Sequence, residues 1–207
     1  MIGYKIVNLS IMLEELGEDS VREILSSFSC PLNADVEQFL HRKAIPFAAQ
    51  GWARTHLVMA SYKNEPVLVG YFSLANKYIS ISAKAFQSRS STLRKRISKF
   101  ATYNADLRAY ILTTPLIAQL GKNFTNGYNK LITGDELLDL ACEKIGRVQY
   151  DLGGRFAYVE CEDKPQLVDF YTRNGFCEFD QRPLDPDETD VMNGDYLVQL
   201  LKYIHQQ

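Results

Sequence analysis

A glycine placed between a polar loop and an apolar helical stripe is the first chemically suggestive feature of the chain. Pro115 to Gly121 reads as a strand and Lys122 to Lys130 as a polar loop; from Gly134, Leu137, Leu138, Ala141, Cys142 and Ile145 recur on one helical face, with an expected end at Gly146. A strand, loop and helix in this order collect unpaired amide N–H groups and the positive end of a helix dipole at one point, a seat for phosphate. Many helices begin after a glycine without any ligand, so the reading depends on what stands around it. From Lys77 to Ala105 there are seven basic residues (Lys77, Lys84, Arg89, Arg94, Lys95, Arg96, Lys99) and no acidic one. Such a run is either a solvated helical face or a counter-charge for phosphates. Cys30, Cys142, Cys161 and Cys177 form no C-x-x-C pair, and His41, His56 and His205 lie far apart, so zinc-site spacing is missing and no metal is expected. Each cysteine has apolar neighbours in sequence and reads as a buried thiol, and His56, within a strand, reads as a hydrogen-bonded structural histidine.

The elements that must position these groups are those of an ordinary globular protein. The 207 residues are 46% apolar and 23% charged, with a net charge of −2, which excludes a disordered chain and a surface given over wholly to nucleic acid. The length suits one domain over 1–207. No apolar run nears the ~20 residues of a membrane span, and the opening residues lack the pattern of a signal peptide, so a reduced, cytoplasmic protein is expected. Lys5 to Leu9 reads as a strand, Ser20 to Glu23 as a capping box opening a helix, and Asp35 to Ile45 as a helix that Pro46 should end or kink. Arg54 to Ala60 and Val67 to Ala75 form a predicted hairpin, which Tyr78 to Ser82 extends or leaves. Arg155 to Cys161 reads as a strand and Lys164 to Asn174 as a helix. Phe176 to Phe179 and Tyr196 to Ile204 read as closing strands, with an acidic loop, Asp180 to Asp190, between them.

The stretch from Phe156 to Phe176, ending Phe170-Tyr171-Thr172-Arg173-Asn174-Gly175-Phe176, resembles the second half of the Gcn5-related N-acetyltransferase (GNAT) family. Pro115 to Gly121 and Gly134 to Leu138 are similar to that family's central strand and to the start of its coenzyme helix. The resemblance implies an α/β (α+β) fold, the GNAT-like acyl-CoA N-acyltransferase fold with a mixed, mostly antiparallel central sheet flanked by helices. It implies acetyl-CoA as cosubstrate, no metal, and direct transfer of the acetyl group to a primary amine in a ternary complex. By the same resemblance, Leu120 and Lys122 on the central strand and Asn129, Lys130, Ile132, Thr133, Gly134 and Asp135 in the loop would hold the coenzyme. The family's pyrophosphate loop is matched only at Gly134, with Asn129 standing where Gln or Arg is usual. Tyr171 would protonate the leaving thiolate. Among Glu160, Glu162 and Asp163, Glu162 is the candidate base, and Trp52 would line an acceptor pocket or pack as a core or hinge aromatic.

A narrower similarity lies in Phe28 to Leu40 followed by Gly51-Trp52-Ala53-Arg54-Thr55, which is similar to the amino-terminal half of the acetyltransferase toxins of toxin–antitoxin pairs. That resemblance implies aminoacyl-tRNA as an alternative acceptor, bound through Arg94, Lys95, Arg96 and Lys99, and a homodimer or an antitoxin as partner. The departure at the pyrophosphate loop keeps a third reading, a non-catalytic protein that binds coenzyme A or a partner.

Overall fold

Asn8 ends the first strand and starts the first helix, because its side-chain oxygen takes the Ser10 amide at 2.9 Å. The computed structural model describes residues 3–186 and 194–205. In it β1 (Lys5–Asn8) runs directly into α1 (Leu9–Leu16), and Gly17, at φ +78°, turns the chain into α2 (Glu18–Ser26). The expected capping box at Ser20 is therefore corrected: the glycine hinge sets the helix start, and Glu18 and Asp19 supply the acidic first turn. Asn33 caps α3 (Ala34–Gln38), and a π turn over Phe39–Lys43 leads into α4 (Ala44–Gln50). Of the two expected outcomes at Pro46, an end or a kink, the end does not occur, and the backbone leaves α geometry at the π turn just before it. The wider turn just before it accommodates a residue that has no amide for the carbonyl of Arg42.

β2 (Arg54–Tyr62) and β3 (Glu65–Ser82) form a hairpin whose two-residue turn places Lys63 and Asn64 at φ +52° and +67°. Ser82 and Ser90 cap the basic helices α5 (Ala83–Gln87) and α6 (Ser91–Phe100). β4 (Thr102–Asn104), β5 (Ala109–Lys122) and a 3-10 turn (Thr125–Lys130) precede α7 (Gly134–Leu152), which passes through Gly146 instead of stopping there. A β-carbon at Gly146 would touch Ile204 at 3.4 Å, so this glycine is a close-packing position within a helix. β6 (Phe156–Glu162), α8 (Pro165–Arg173), β7 (Cys177–Pro183) and β8 (Tyr196–Tyr203) complete the order. β7 takes up the start of the expected acidic loop, and 187–193 lie outside the described residues.

The strands form one sheet in the order β1-β2-β3-β5-β6-β8-β7, with β4 on β5. β5 and β6 are parallel, with Leu116 opposite Tyr158, whereas β1–β2, β2–β3, β4–β5, β6–β8 and β7–β8 are antiparallel. This is the mixed, mostly antiparallel sheet with flanking helices that the resemblance implied. The chain packs as two units, and β3, β5 and α7 each contribute to both. The first takes the chain up to Ala75 with Ile117–Ala141; its core is built on Leu9, Leu25, Phe28, Leu40, Leu57 and Tyr71. The second takes Asn76–Leu116 and the chain from Cys142 onward, with a core of Ile81, Ile97, Phe156, Tyr158, Phe179 and Leu201. Cys30, Cys142 and Cys161 are buried as expected, but Cys177 is exposed: it stands at the start of β7, which ends the strand order.

Candidate functional site

In the first unit the loop before α7 is tied down by side chains at its carbonyl groups. Lys122, at the end of β5, gives its ammonium to the carbonyls of Asn129 at 3.0 Å and Ile132 at 3.2 Å, and the Tyr4 hydroxyl donates to the carbonyl of Leu131 at 3.0 Å. Lys122 thus acts through its side chain as a clamp on the loop. Lys130 is exposed, while Ile132 is buried. At the helix start, Thr133 and Glu136 form a reciprocal cap. The Glu136 carboxylate accepts from the Thr133 amide and hydroxyl, each at 2.8 Å, and the Thr133 hydroxyl oxygen accepts the Glu136 amide at 3.1 Å. These bonds, the Thr133 amide foremost, hold the Glu136 carboxyl below the usual carboxylate range. The Thr-x-x-Glu spacing is visible in the sequence, so this cap could have been read there. Gly134 and Asp135 lie between its two partners and open the helix. Leu120 is half-buried near the end of β5. Trp52, 61% exposed, packs edge-on to Phe47 with ring centres 5.2 Å apart, so it sits at the surface after α4 and not in the core.

In the second unit Tyr171 lies on the inner side of α8, half-buried, edge-on to Phe170 and Phe176. Burial first, then the neighbouring thiols of Cys161 and Cys142, push its pKa up, so the phenol is neutral near pH 7. Its hydroxyl makes no hydrogen bond to any described residue. An inward phenol with its donor unspent can give a proton to a group that arrives beside it. Glu162, at the end of β6, pairs with Lys164 at 2.6 Å.

Sequence reasoning passed over the most heavily bonded carboxylate of this unit. Glu160 shares one face of β6 with Phe156 and Tyr158, and its side chain is only 8% exposed. Arg182 on β7 grips both oxygens, at 2.7 and 2.8 Å, Lys77 on β3 reaches them at 3.1 and 3.3 Å, and the Tyr158 hydroxyl donates to one. Gln199 on β8 donates in turn to the Tyr158 oxygen at 2.6 Å. Burial pushes the Glu160 carboxyl up, but the bonds from Arg182 and Tyr158 and the charge of Lys77 outweigh it and bring it to about 2. A carboxylate with all its lone pairs engaged is an anchor between strands, not a base. The signal for it was a glutamate among apolar, alternating strand residues, which must find cations to be buried at all.

On α6, Arg94 donates to Gln87 at 2.9 Å and Arg96 lies 4.4 Å over the Tyr203 ring, whereas Lys95 and Lys99 are exposed. Phe100 ends α6, 37% exposed and edge-on to Phe156 at 6.0 Å, and Tyr103 on β4 is 50% exposed beside Tyr110 at 5.1 Å. His56 is buried and packs on Phe72 with ring centres 5.0 Å apart. Among the described residues no group of three or more His, Cys, Asp or Glu is placed to hold a metal ion, and no helix is long and apolar enough to cross a membrane.

This element order, with its parallel β5–β6 pair and a helix start behind β5, defines the fold of the GNAT-like acetyltransferases. No protein-family model matches the sequence, and no curated protein does. Solved structures of GNAT-fold toxins do match. The chain is similar to AtaT complexed with acetyl-methionyl-tRNAfMet, with a TM-score of 0.60 and 14% identity over 95% of this chain and 94% of that one. It is similar to a tyrosine-to-phenylalanine variant of KacT, with a TM-score of 0.59 and 14% identity over 94% and 93%. It is also similar to AtaTR bound with acetyl-CoA, with a TM-score of 0.53 and 14% identity over 94% and 91%. At this identity the likeness is one of fold.

Proposed function

We propose that the chain is an acetyl-CoA-dependent N-acetyltransferase that moves the acetyl group directly to a primary amine. The observation that carries the reading is Tyr171: an inward phenol, kept neutral by burial, with no hydrogen bond of its own to any described residue. In the reaction the amine nitrogen attacks the thioester carbon, a C–N bond forms and the C–S bond breaks. Tyr171 gives its proton to the departing sulfur, and Glu162 takes the amine's proton through water. The main chain of β5 at Leu120 and Lys122 polarises the thioester carbonyl, and the loop Asn129 to Asp135 receives the pyrophosphate, as the family resemblance implies. Trp52, exposed after α4, is offered to the acceptor. The structural neighbour bound with acetyl-CoA supports the choice of cosubstrate. Turnover by wild type and Tyr171→Phe, measured with a panel of primary amines, tests the assignment. Equal rates would end it.

A second reading has its own observation. Lys95 and Lys99 stand exposed on α6, followed by the exposed rings of Phe100 and Tyr103, a surface suited to phosphates and unpaired bases. On this reading the acceptor is aminoacyl-tRNA, and an antitoxin or a second copy of the chain is the partner; neighbours of this fold have been solved with tRNA and with an antitoxin segment. Retention of charge-dependent tRNA binding after replacement of both lysines would count against it.

A further inference from the structure

In the first unit a cleft of about 760 Å³ opens between one face of the strands β1, β2 and β3 and the helices α1 and α2. Well-packed interiors keep few voids larger than a water molecule, and this volume falls within the roughly 300–1,000 Å³ of small-molecule sites. The sequence makes the space locally. A bulge at Val58 and Met59 breaks the register of β2 with β3, which bends the strand and re-aims the residues beyond it, and the small side chains of Ser27, Ala60 and Ser61 leave the opening unfilled. Val7, Met12, Ile24, Met59 and Val67 are half-buried and supply apolar walls, with Leu68 buried beneath them. Lys5, Asn64 and Asn126 are exposed and form a polar rim. Among the described residues that line the cleft, Lys5 is the one charged side chain. Water against such walls would lack hydrogen-bond partners.

We propose that the cleft binds an amphipathic monoanion, a free medium-chain carboxylate whose hydrocarbon tail lies among Met12, Ile24 and Met59 and whose carboxylate meets the Lys5 ammonium. The walls call for hydrocarbon because they offer a polar ligand nothing to replace its lost water, and methionines adapt to a flexible chain. The rim sets the sign and the amount of charge: one lysine with no lining carboxylate attracts one negative charge and repels a cation. None of the lining residues is among those assigned to acetyl-CoA, so the site stands independently of the coenzyme reading. Each buried methylene is worth about fourfold in affinity, so decanoate should bind about 10- to 20-fold more tightly than octanoate. The exposed lysine contributes less, about 2- to 5-fold.

The test is titration of the full chain with decanoate, octanoate, decyl alcohol and decyltrimethylammonium, followed by calorimetry, melting curves and the methyl NMR signals of Met12 and Met59, assigned with Met12→Leu and Met59→Leu. The expected result is saturable binding of one decanoate per chain, a raised melting temperature, shifts of both methyl signals, and octanoate weaker in the stated ratio. The cation should bind least. Lys5→Gln should weaken decanoate about 2- to 5-fold and leave decyl alcohol unchanged, which separates the ion pair from any general effect of the substitution. Val67→Phe fills the cleft and should abolish binding without lowering the melting temperature; should this variant not fold, the methionine signals of wild type still locate the site. The proposal is overturned by an absence of decanoate binding, by binding that leaves both methyl signals unmoved, or by equal binding of the cationic amphiphile. Methyl shifts that follow protein concentration without any ligand would give the cleft to a second copy of the chain and overturn it as well.

Discussion

Tyr171 and Glu160 divide the chemistry of the second unit between them: one phenol with its donor unspent, one carboxylate with every lone pair engaged. For Tyr171→Phe the expected outcome is a kcat lowered by about 10² to 10⁴ fold, with melting temperature and coenzyme affinity unchanged, since only a hydroxyl without a partner among the described residues is removed. A parallel fall in rate and melting temperature would assign the tyrosine to packing. Glu160→Gln removes the charge that Arg182 and Lys77 share and should cost about 2–4 kcal/mol in a denaturant melt, with Asp185 at 3.5 Å from Arg182 and the solvent near Lys77 softening the loss. Because the folded pKa of Glu160, about 2, lies below its ordinary value, its stabilisation is complete above pH ~4.5 and is lost as pH falls towards 2. Wild type should lose about 3 kcal/mol more than Glu160→Gln across that window. Identical acid profiles would mean that the anchor is not charged in the folded chain. The Phe-Tyr ending at 170–171 was readable as a motif. The Glu160 cluster was not, because its cations come from β3 and β7, 83 and 22 residues away.

Among the elements, most strands and α8 could be read closely from alternation and apolar stripes, β4 and the first half of β5 (109–114) were not read, and the misreadings at the helices share one cause. Helix ends are set by backbone hinges and by neighbours that local patterns do not contain. Gly17 moved the start of α2 away from the Ser20 box, and the π turn at Phe39–Lys43 let the helix pass Pro46. Gly146, which looked like a stop, is a packing position against Ile204. α1 was missed because Asn8, which caps it, is the single residue between the apolar pair Ile6-Val7 of β1 and Leu9 of the helix. Two other glycines mark where elements of the first unit meet. A β-carbon on Gly121 would fall 2.4 Å from a methyl group of Val36 on α3, and one on Gly70 2.9 Å from the Gly121 carbonyl oxygen. Gly121→Ala should therefore lower stability by about 1–3 kcal/mol by overpacking α3 against β5. A neutral outcome in a urea melt would mean that α3 moves off the strand without cost.

For the molecule as a whole, charge is distributed so that a mildly acidic chain carries a basic segment, Lys77 to Lys99, that includes α6. Arg94 and Arg96 are partly committed to Gln87 and to the Tyr203 ring, so Lys95 and Lys99 should dominate any contact with RNA phosphates. Replacing both lysines with alanine should reduce the slope of log K against log salt for tRNA by roughly 1.4 to 1.8, and replacing the two arginines by less. An unchanged slope would leave α6 a solvated face. The fold was readable because its element order survives at 14% identity to proteins of the same architecture. The loop before α7 was the hardest part, since Asn129 and Ile132 stand where the family pattern has Gln or Arg and a glycine, and the loop is held at Asn129, Leu131, Ile132 and Thr133 by Lys122, Tyr4 and Glu136 instead of by glycine-rich geometry. Everything proposed for the reaction passes through acetyl-CoA. The most direct measurement is therefore a melting curve and calorimetric titration of the purified chain with millimolar acetyl-CoA. The account predicts saturable binding of one molecule per chain and a stabilisation of about 2.7 kcal/mol at a hundredfold excess over the dissociation constant. No heat of binding and an unmoved melting temperature would contradict it.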